Sequence, residues 1–586
     1  MTAASILVAT AALALRVAAA IGVGRLPLGR TPQYDGLEYL LWAQRLAGGD
    51  FGWPPNPPHG PAYPFFLAGL LAAGHGSLMF ARMVQAVMGA ATCCIAGSVG
   101  ARLFGARAGI VTAALLAVYA PLIWLDASIG SEGLLMFLLT AALWSGVSER
   151  SPILTGALIG LAALTRPTAL IFLPLLVWIG ARAMKRRTAI VAAAVAVIIP
   201  VTIANWRASH AFIPIQAFGG MNVYLGDSPL RDGMASARPG GEWERLEAEG
   251  DDQYFTRKTL GEIRAHPSAF AGLLLRKALL TFQNEEVRDT HSFYFFRQLV
   301  PVLRWLPGFT ILFAFAVAGA VPANWRERNV RIVAICTALA AATCIALVVG
   351  ARYRIPLALG LALFGGAVAV PQSRRKLAVA AIAGVIAALC TRIVTVPAAH
   401  NFAEEWALTA ESLLRENQLA EAEAAARRAT LIDPSNPSGW SSLGSILGAS
   451  GRTAEAADAF RRTVTLNPDF ATAHQHLAAL LAQNGDLAGA AAAYRRVIAI
   501  DPRSVVALRA LARLSGAMGN AAEGLEAARR AAALETPDDD DWLIIAMLAA
   551  ELRRFDEADD ALAHIAESSP RVEQVKDAIR RARGSP

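Results

Sequence analysis

Long apolar runs fill most of the first 400 residues and predict helices that cross a membrane. A helix needs roughly 20 apolar residues to span a bilayer, and about eleven runs approach that length. The predicted spans are residues 6–23, 79–101, 110–125, 133–147, 153–164, 169–181, 190–206, 309–321, 332–349, 355–370 and 377–396. The pattern therefore predicts a polytopic, all-α membrane domain over residues 1–400.

Charged loops between these runs indicate how the predicted helices are oriented. Alternate loops are basic, and they read "ARLFGAR", "SERS", "RAMKRR", "NWRERNVR" and "QSRRK". Lys and Arg accumulate on the cytoplasmic side of membrane proteins, so these loops and the N-terminus are predicted to be cytoplasmic. The main outer loops are then residues 25–76 and 207–300, and residues 401–586 are extracytoplasmic. We expect a multi-pass protein of the inner or plasma membrane, although one miscounted span would move residues 401–586 into the cytoplasm.

A repeated pattern fills residues 401–586. Pro434, Pro468 and Pro502 stand 34 residues apart, and each closes a similar phrase, such as "LIDP" or "LNP". Between them lie two helical patterns with a Gly-bearing turn, and the second pattern carries an aromatic residue, Phe460 or Tyr494. This period and these positions resemble the tetratricopeptide repeat. We predict an α-solenoid of about four repeats over residues 403–570 with a capping helix, which binds a protein partner on its concave surface. A plain spacer or oligomerisation module is the alternative interpretation.

Composition supports this division and argues against nucleic-acid binding. Hydrophobic residues make up 55% of the chain and charged residues only 17%, which is typical of membrane proteins. The net charge is +8, but residues 401–586 hold 20 Lys and Arg against 27 Asp and Glu. The basic excess therefore lies on the membrane loops, which does not resemble a nucleic-acid footprint. The five cysteines lie in apolar runs and have no disulfide or zinc spacing.

Carboxylates and arginines from separate loops are predicted on the outer face. Asp35 and Glu38 are three residues apart in "YDGLEYLL", so they share one helix face, although ordinary surface acids give the same pattern. The further outer candidates are Tyr63, Asp126, Glu132, Arg166, Arg352, Tyr353 and Arg354. Paired guanidinium groups suit a phosphate, although Arg and Tyr also act as plain anchors at membrane interfaces. Together these residues could hold a lipid phosphate and deprotonate an incoming hydroxyl group.

A succession of short motifs resembles the GT-C glycosyltransferases of the protein O-mannosyltransferase and lipid A aminoarabinose transferase type. The motifs read, in order, "YDGLEYLLWAQRLAGGD", "HGPAYPFFLAGL", "SEGLLMFLL", "LTRPTALIFLP", "NVYLGDSPLRDG", "HPSAFAGLLLRKALLTF" and "RYRIPL". Members of that family are polytopic enzymes that take a sugar from a polyprenyl-phosphate donor. They often carry adjacent Asp and Glu residues in the first outer loop, whereas Gly36 follows Asp35 here.

The resemblance implies an inverting glycosyltransferase with Asp35 as general base or orienting carboxylate. Glu38 and Asp126 are further catalytic candidates, and Asp126 could instead hold an optional divalent cation. The residues implied to bind the donor phosphate are Arg166, Arg352, Tyr353 and Arg354, with Glu132, Tyr63 and Lys277 in supporting positions. Besides the bilayer and the lipid-linked sugar donor, the implied partner is an acceptor protein, lipid or glycan. Apart from that optional cation, no resident metal or cofactor is expected.

Two other functions stay open at the level of sequence. A polysaccharide ligase or polymerase also uses polyprenyl-linked sugars, and it would use arginines and a histidine in outer loops, for which His291 is a candidate. A non-enzymatic membrane scaffold would have the repeat array as its working part. That scaffold would need neither acids nor arginines on several outer loops. His474 and His476 have no third ligand nearby in sequence, so we predict no metal site in the repeats.

Overall fold

Helices are the regular elements of this protein. The structure is a computed structural model that describes residues 2–180, 183–231, 251–321, 323–393, 401–565 and 570–584. These ranges contain no strand, so the predicted all-α fold is confirmed. The described residues form two compact units, of which the first ends at Leu408 and the second begins at Thr409.

The first unit consists of helices that vary widely in length. In the described ranges they are α1 (Ala3–Arg25), α2 (Pro27–Arg30), α3 (Asp35–Ala47), α4 (Ala62–Ala73), α5 (Leu78–Phe104), α6 (Ala106–Val118), α7 (Ala120–Ala127), α8 (Glu132–Val147), α9 (Pro152–Thr165), α10 (Leu173–Gly180), α11 (Met184–Ser209), α12 (Gly219–Asp227), α13 (Asp252–Ala265), α14 (Pro267–Phe282), α15 (Phe293–Leu299), α16 (Pro301–Arg304), α17 (Phe309–Ala320), α18 (Arg328–Ala346), α19 (Ile355–Ala367) and α20 (Arg374–Cys390). A 3₁₀ turn, Pro167–Phe172, precedes α10. Several of the longer helices have a polar N-cap residue. The side chains of Thr2, Ser77 and Ser373 each accept a hydrogen bond from a backbone N–H of the first turn.

Four helices among the described residues are long and apolar enough to cross a membrane, namely α1, α5, α11 and α18. The pair α6 and α7 would add a fifth if it is one span, with a bend of 59°. Six further apolar helices have only 10–17 residues. The structure therefore has fewer span-length helices than the eleven predicted, because several of the predicted runs form helices of only 10–17 residues. The run at 110–125 is in addition divided at Tyr119.

Small residues let helices of the first unit approach closely. A Cβ atom added at Gly97 of α5 would lie 2.9 Å from the carbonyl oxygen of Gly109 in α6. Such small residues at helix crossings are typical of packed membrane helices. The length and composition of the long helices, together with this packing, are compatible with a membrane protein.

The second unit continues from helix α21, Ala403–Arg415, whose first residues belong to the first unit. Its other helices are α22 (Leu419–Ile432), α23 (Pro437–Ala449), α24 (Thr453–Leu466), α25 (Ala471–Gln483), α26 (Leu487–Ile500), α27 (Val505–Ala517), α28 (Ala521–Leu534), α29 (Asp539–Glu551), α30 (Phe555–Ala563) and α31 (Pro570–Gly584). Successive helices pack against each other in pairs, α23 with α24, α25 with α26 and α27 with α28. These pairs follow the predicted 34-residue period.

One aromatic side chain joins three helices of this unit. The Phe460 ring of α24 is buried, and a Cβ atom added at Gly444 of α23 would lie 2.9 Å from it. The same ring stacks on His476 of α25, with 5.2 Å between ring centroids. The repeat pattern therefore marks an aromatic position that packs one repeat on the next.

Replacing this aromatic is expected to loosen the repeat unit. Phe460→Leu should lower the free energy of unfolding by about 1–2 kcal/mol, because the smaller side chain leaves a void between the helices. Denaturant unfolding of the full chain measures the change. Arg462→Ala, at an exposed position of the same helix, is the control and should change stability by less than about 0.5 kcal/mol. Equal stability of both variants would contradict the packing role.

Candidate functional site

A network of ion pairs lies at the start of α3. Asp35 is the first residue of that helix, and Arg352 lies in the turn before α19. The Arg352 guanidinium donates from Nη1 to Asp35 and from Nε to Asp289. Its Nε also lies 3.9 Å from Oε1 of Glu132. One arginine therefore lies between three carboxylates that come from distant parts of the chain.

A second arginine reaches the network from the end of α9. Arg166 pairs with Glu132 and donates from Nε to the Ser131 hydroxyl at 3.1 Å. The Tyr39 hydroxyl donates to the same oxygen at 3.3 Å. Glu132 is consequently held by Arg166 and neighboured by Arg352, and its side chain is almost fully buried.

An aromatic ring lies beside both arginines. The centroid of the Tyr353 ring is 5.3 Å from the guanidinium carbon of Arg166 and 6.0 Å from that of Arg352. Cations at such distances are attracted by the ring face. The structure thus brings together five residues that were predicted as site residues, namely Asp35, Glu132, Arg166, Arg352 and Tyr353.

The backbone before Asp35 is held in an uncommon conformation. Tyr34 has a φ angle of 52°, in the left-handed region that non-glycine residues rarely adopt. Its hydroxyl donates to Glu404 at 3.1 Å, and the next residue, Glu405, accepts from the backbone N–H of Ser292 at 2.9 Å. The first turn of α21 therefore fixes two segments that flank the ion-pair network.

The electrostatic surroundings keep Asp35 charged. Burial acts to raise the pKa of the Asp35 carboxyl, but the Arg352 guanidinium and, less strongly, His59 outweigh it. The pKa of Asp35 therefore lies below its usual range, and the group is ionised at neutral pH. Burial also raises the pKa of Tyr39, so its phenol stays protonated and acts as a hydrogen-bond donor.

A cavity of about 60 Å³ adjoins the network. That volume holds a few water molecules, which is the scale of one small polar group. The charged side chains and the histidine that line it are Asp35, Arg82, Glu132, Asp289, His291 and Arg352. Much of the remaining wall is apolar and includes Leu28, Trp124 and Leu125. The cavity therefore combines charged groups with an apolar wall, which suits an amphipathic ligand.

Two predicted residues lie outside the cavity, each with another partner. Asp126 accepts a 2.7 Å hydrogen bond from Nε of Arg16, and both side chains are buried in the helix bundle. Lys277 donates to Asp227 at 2.6 Å and is also buried. These pairs join α1 to α7 and α14 to α12, so they link helices within the first unit.

Arg354 also points away from the cavity, although it is only two residues from Arg352. Its Nη1 donates to Glu286 at 3.3 Å, and its guanidinium carbon lies 3.8 Å from the centroid of the Phe309 ring. The side chain is fully buried. The guanidinium groups of Arg352 and Arg354 thus bind different partners, although the two residues are close in the turn. Their spacing in the sequence does not reveal this difference.

Glu38 and Tyr63 lie near the network but do not line the cavity. Oε2 of Glu38 is 2.8 Å from Nε2 of His59, at an angle that does not make a hydrogen bond, and the Glu38 side chain is half exposed. The Tyr63 hydroxyl donates to Gln85 at 2.9 Å. Its ring contacts Tyr39 edge to face, with 4.9 Å between centroids. Both residues therefore contact side chains that neighbour the network.

Sequence reasoning missed two of the cavity's charged residues. Arg82 lies within the apolar run 79–101, and a charged residue inside such a run is a functional candidate by default, so the signal was present. Asp289 follows no pattern in the polar stretch "NEEVRDTHS". No group of three or more His, Cys, Asp or Glu side chains within the described ranges is placed to hold a metal ion.

His291 is a neutral lining residue of the cavity. Its Nδ1 atom is buried and has no hydrogen-bond partner in the described part of the chain. Burial, together with the charges of Arg288 and Arg352, lowers the pKa of His291 to about 4 against the opposing effect of Asp35 and Glu404. The imidazole is therefore uncharged at neutral pH and can accept a hydrogen bond.

This histidine should make the stability of the fold depend on pH. The unfolded chain binds a proton at His291 below about pH 6.5, whereas the folded chain does so only near pH 4, so stability should fall as the pH drops through that window. His291→Gln should remove this contribution, which is at most about 3 kcal/mol. Melting temperatures at pH 7 and pH 4.5 measure it. The same pH dependence in both proteins would contradict a neutral, buried imidazole.

Comparison with known proteins identifies the second unit. Residues 441–505 match the family model described as tetratricopeptide repeat. The predicted tetratricopeptide repeats are thereby confirmed for these residues, which lie in the second unit. Arrays of this class commonly bind protein partners or peptides. No curated protein matches the chain.

Several solved structures are similar to part of the chain. A crystal structure of MamA is 16% identical and covers 31% of this chain and 95% of its own, with a TM-score of 0.26. YrrB, described as a TPR protein with an unusual peptide-binding site, is 15% identical, covers 31% of this chain and 91% of its own, and has a TM-score of 0.26. PilF of Pseudomonas aeruginosa is also 15% identical, covering 31% of this chain and 88% of its own with the same TM-score.

Proposed function

We propose that the first unit is a polytopic membrane glycosyltransferase of the GT-C type. It would transfer a sugar from a polyprenyl-phosphate donor to an acceptor on the extracytoplasmic face, with inversion at the anomeric carbon. In this proposal the shorter apolar helices cross the bilayer alongside the four long ones, and the N-terminus is cytoplasmic. The observation that carries the proposal is one cavity at which an ionised carboxylate, arginines and an apolar wall meet.

The chemistry requires a group that receives the proton of the acceptor hydroxyl. In the proposed reaction the acceptor oxygen bonds to the anomeric carbon, the bond from that carbon to the phosphate oxygen breaks, and polyprenyl phosphate leaves. Asp35 orients the hydroxyl and takes its proton. Arg352 stabilises the negative charge that develops on the leaving phosphate. These two roles need both residues at one cavity, as they are here.

The ion pair between Asp35 and Arg352 gives the reaction an order. A carboxylate with a depressed pKa is a weak base, so Asp35 is poorly suited to take a proton while Arg352 holds it. When a donor phosphate draws Arg352 toward itself, burial again dominates at Asp35 and raises its proton affinity. Donor binding would thereby activate the base.

The repeat array supports a role in recruitment. Tetratricopeptide arrays present an extended surface to a protein or peptide, so the second unit would recruit the acceptor or a partner enzyme. A membrane scaffold without enzymatic activity is the second candidate, and the same array favours it. The two candidates differ in whether the first unit turns over a lipid-linked sugar.

Release of polyprenyl phosphate from a panel of polyprenyl-phosphate sugars tests the proposal. The purified full chain is incubated with each donor, and donor binding is measured in parallel. We expect at least one donor to bind and to be transferred or slowly hydrolysed. A protein that melts cooperatively yet neither binds nor turns over any donor would refute the glycosyltransferase and leave the scaffold.

A further inference from the structure

Arg82 is a buried arginine in the wall of the cavity. It lies near the start of α5, and only 2% of its surface is exposed. Its Nε donates to the carbonyl oxygen of Ala127 at 3.0 Å, and its Nη2 donates to the carbonyl oxygen of Gly29. Ala127 is the last residue of α7, where the helix dipole favours a cation. The guanidinium is therefore fixed in orientation by two backbone acceptors.

Arg82 differs from the other buried arginines in its charge balance. Arg16 pairs with Asp126, Arg166 with Glu132, and Arg354 with Glu286. Arg352, at the same cavity, lies against Asp35 and Asp289. Within the described ranges, no carboxylate forms an ion pair with Arg82.

An unbalanced buried charge is costly, and backbone carbonyls offset only part of that cost. A bound anion would supply the missing negative charge and recover hydrogen bonds to the guanidinium. The three carboxylates of the cavity form their ion pairs with Arg166 and Arg352 and none with Arg82, so an anion is favoured at Arg82 and away from Asp35. The segments that contact Arg82 also bring the apolar side chains of Leu28 and Leu125 into the wall.

We propose that Arg82 binds the phosphoryl group of a ligand in this cavity, with Arg352 as a second contact. The inference rests on the proposed function in taking that ligand to be a polyprenyl phosphate, whose headgroup lies next to an apolar chain. A planar guanidinium can bind a phosphate through two parallel hydrogen bonds. The leaving phosphate then lies at Arg82 and the acceptor hydroxyl at Asp35, and both residues line the same cavity.

A purely structural role for Arg82 gives a different expectation. Its two hydrogen bonds join α5 to the segments at Gly29 and Ala127, so the residue could serve only to connect them. Such a role would affect thermal stability but not ligand affinity. Arg82→Gln removes the positive charge and the planar set of guanidinium donors. Arg82→Lys keeps the charge while losing the double contact, so the pair of variants separates the two roles.

Ligand affinity of the purified full chain tests the proposal. The probes are a polyprenyl phosphate in detergent and inorganic phosphate, and the melting temperature of each variant is measured without ligand. We expect Arg82→Gln to bind polyprenyl phosphate about 10- to 100-fold more weakly, because one charged hydrogen-bonding partner is lost. Arg82→Lys should bind with an affinity between those of Arg82→Gln and the wild type. Arg45→Gln, which removes an exposed arginine of α3, is the control and should bind as the wild type does.

The two probes distinguish the source of the phosphoryl group. Binding of inorganic phosphate that depends on Arg82 would indicate that the headgroup alone is recognised. Binding of polyprenyl phosphate alone would indicate that the lipid chain is required. Wild-type affinity for both probes in folded Arg82→Gln and Arg82→Lys would overturn the proposal, and so would equal weakening in the Arg45→Gln control.

Ligand affinity and sugar transfer together test the Arg82 site independently of the proposed function. A wild type that transfers sugar, together with an Arg82→Gln variant of unchanged affinity, would refute the site and leave the glycosyltransferase. A polyprenyl phosphate that binds through Arg82, in a protein that turns over no donor, would support the site and refute the glycosyltransferase.

Discussion

Asp35→Asn is expected to lower the rate of sugar transfer by about 10²- to 10⁴-fold, the range that a general base contributes. The amide has the shape of the carboxylate but can neither accept the proton of the acceptor hydroxyl nor carry its charge. Donor affinity should persist, because the donor phosphate is assigned to Arg82 and Arg352. Single-turnover release of polyprenyl phosphate and equilibrium donor binding measure the two effects separately.

A matched substitution shortly after α3 controls for the loss of a carboxylate. Asp50→Asn removes an exposed acid. Its carboxylate lies 2.8 Å from Nε of its partner, Arg45, which is also exposed. This variant should transfer sugar as the wild type does. An unchanged rate in Asp35→Asn would remove the carboxylate from the reaction, and an equal loss in both variants would point to a general effect of charge.

Arg352→Gln should destabilise the folded protein by about 3–5 kcal/mol at neutral pH, since it leaves buried carboxylates without their shared cation. Asp35, Asp289 and Glu132 would then face one another across the position of the lost guanidinium. Denaturant unfolding of the full chain at pH 7 measures the change. Arg304→Gln, which removes an exposed arginine, should have little effect.

The sign of the pH dependence should also reverse at this site. In the wild type the depressed pKa of Asp35 adds stability above its unfolded value, and this stability is lost as the pH falls. Without Arg352, burial dominates and raises the pKa of Asp35, so protonation on acidification should recover stability in the variant. Asp289→Asn in the Arg352→Gln background should recover part of the lost stability at pH 7, because it removes one of the unpaired carboxylates. A variant as stable as the wild type at pH 7 would contradict the network.

Sequence patterns predicted the repeat unit well because its structure is local. Each helix pair packs on its immediate neighbours, so a 34-residue period with aromatic positions at Phe460 and Tyr494 contains most of the required information. The first unit depends more on contacts between residues that are distant in the sequence. Several apolar runs there form helices of only 10–17 residues, and the run at 110–125 is divided at Tyr119.

The candidate site shows the same limit. Loop alternation put Asp35 and Arg352 on one side, although they are 317 residues apart, and the structure joins them in an ion pair. Alternation could not separate Arg352 from Arg354, because the direction of each side chain depends on the turn and on the partner that packs against it. It also could not find Asp289, which has no pattern of its own.

A structure of the full chain with an unreactive polyprenyl-phosphate sugar analogue would test the central claim most directly. The account predicts the phosphate within hydrogen-bonding distance of Arg82 and Arg352. It also predicts the anomeric carbon on the side of Asp35, with the prenyl chain leaving along the apolar wall. An analogue bound elsewhere on the first unit, or a phosphate that contacts neither arginine, would contradict the account.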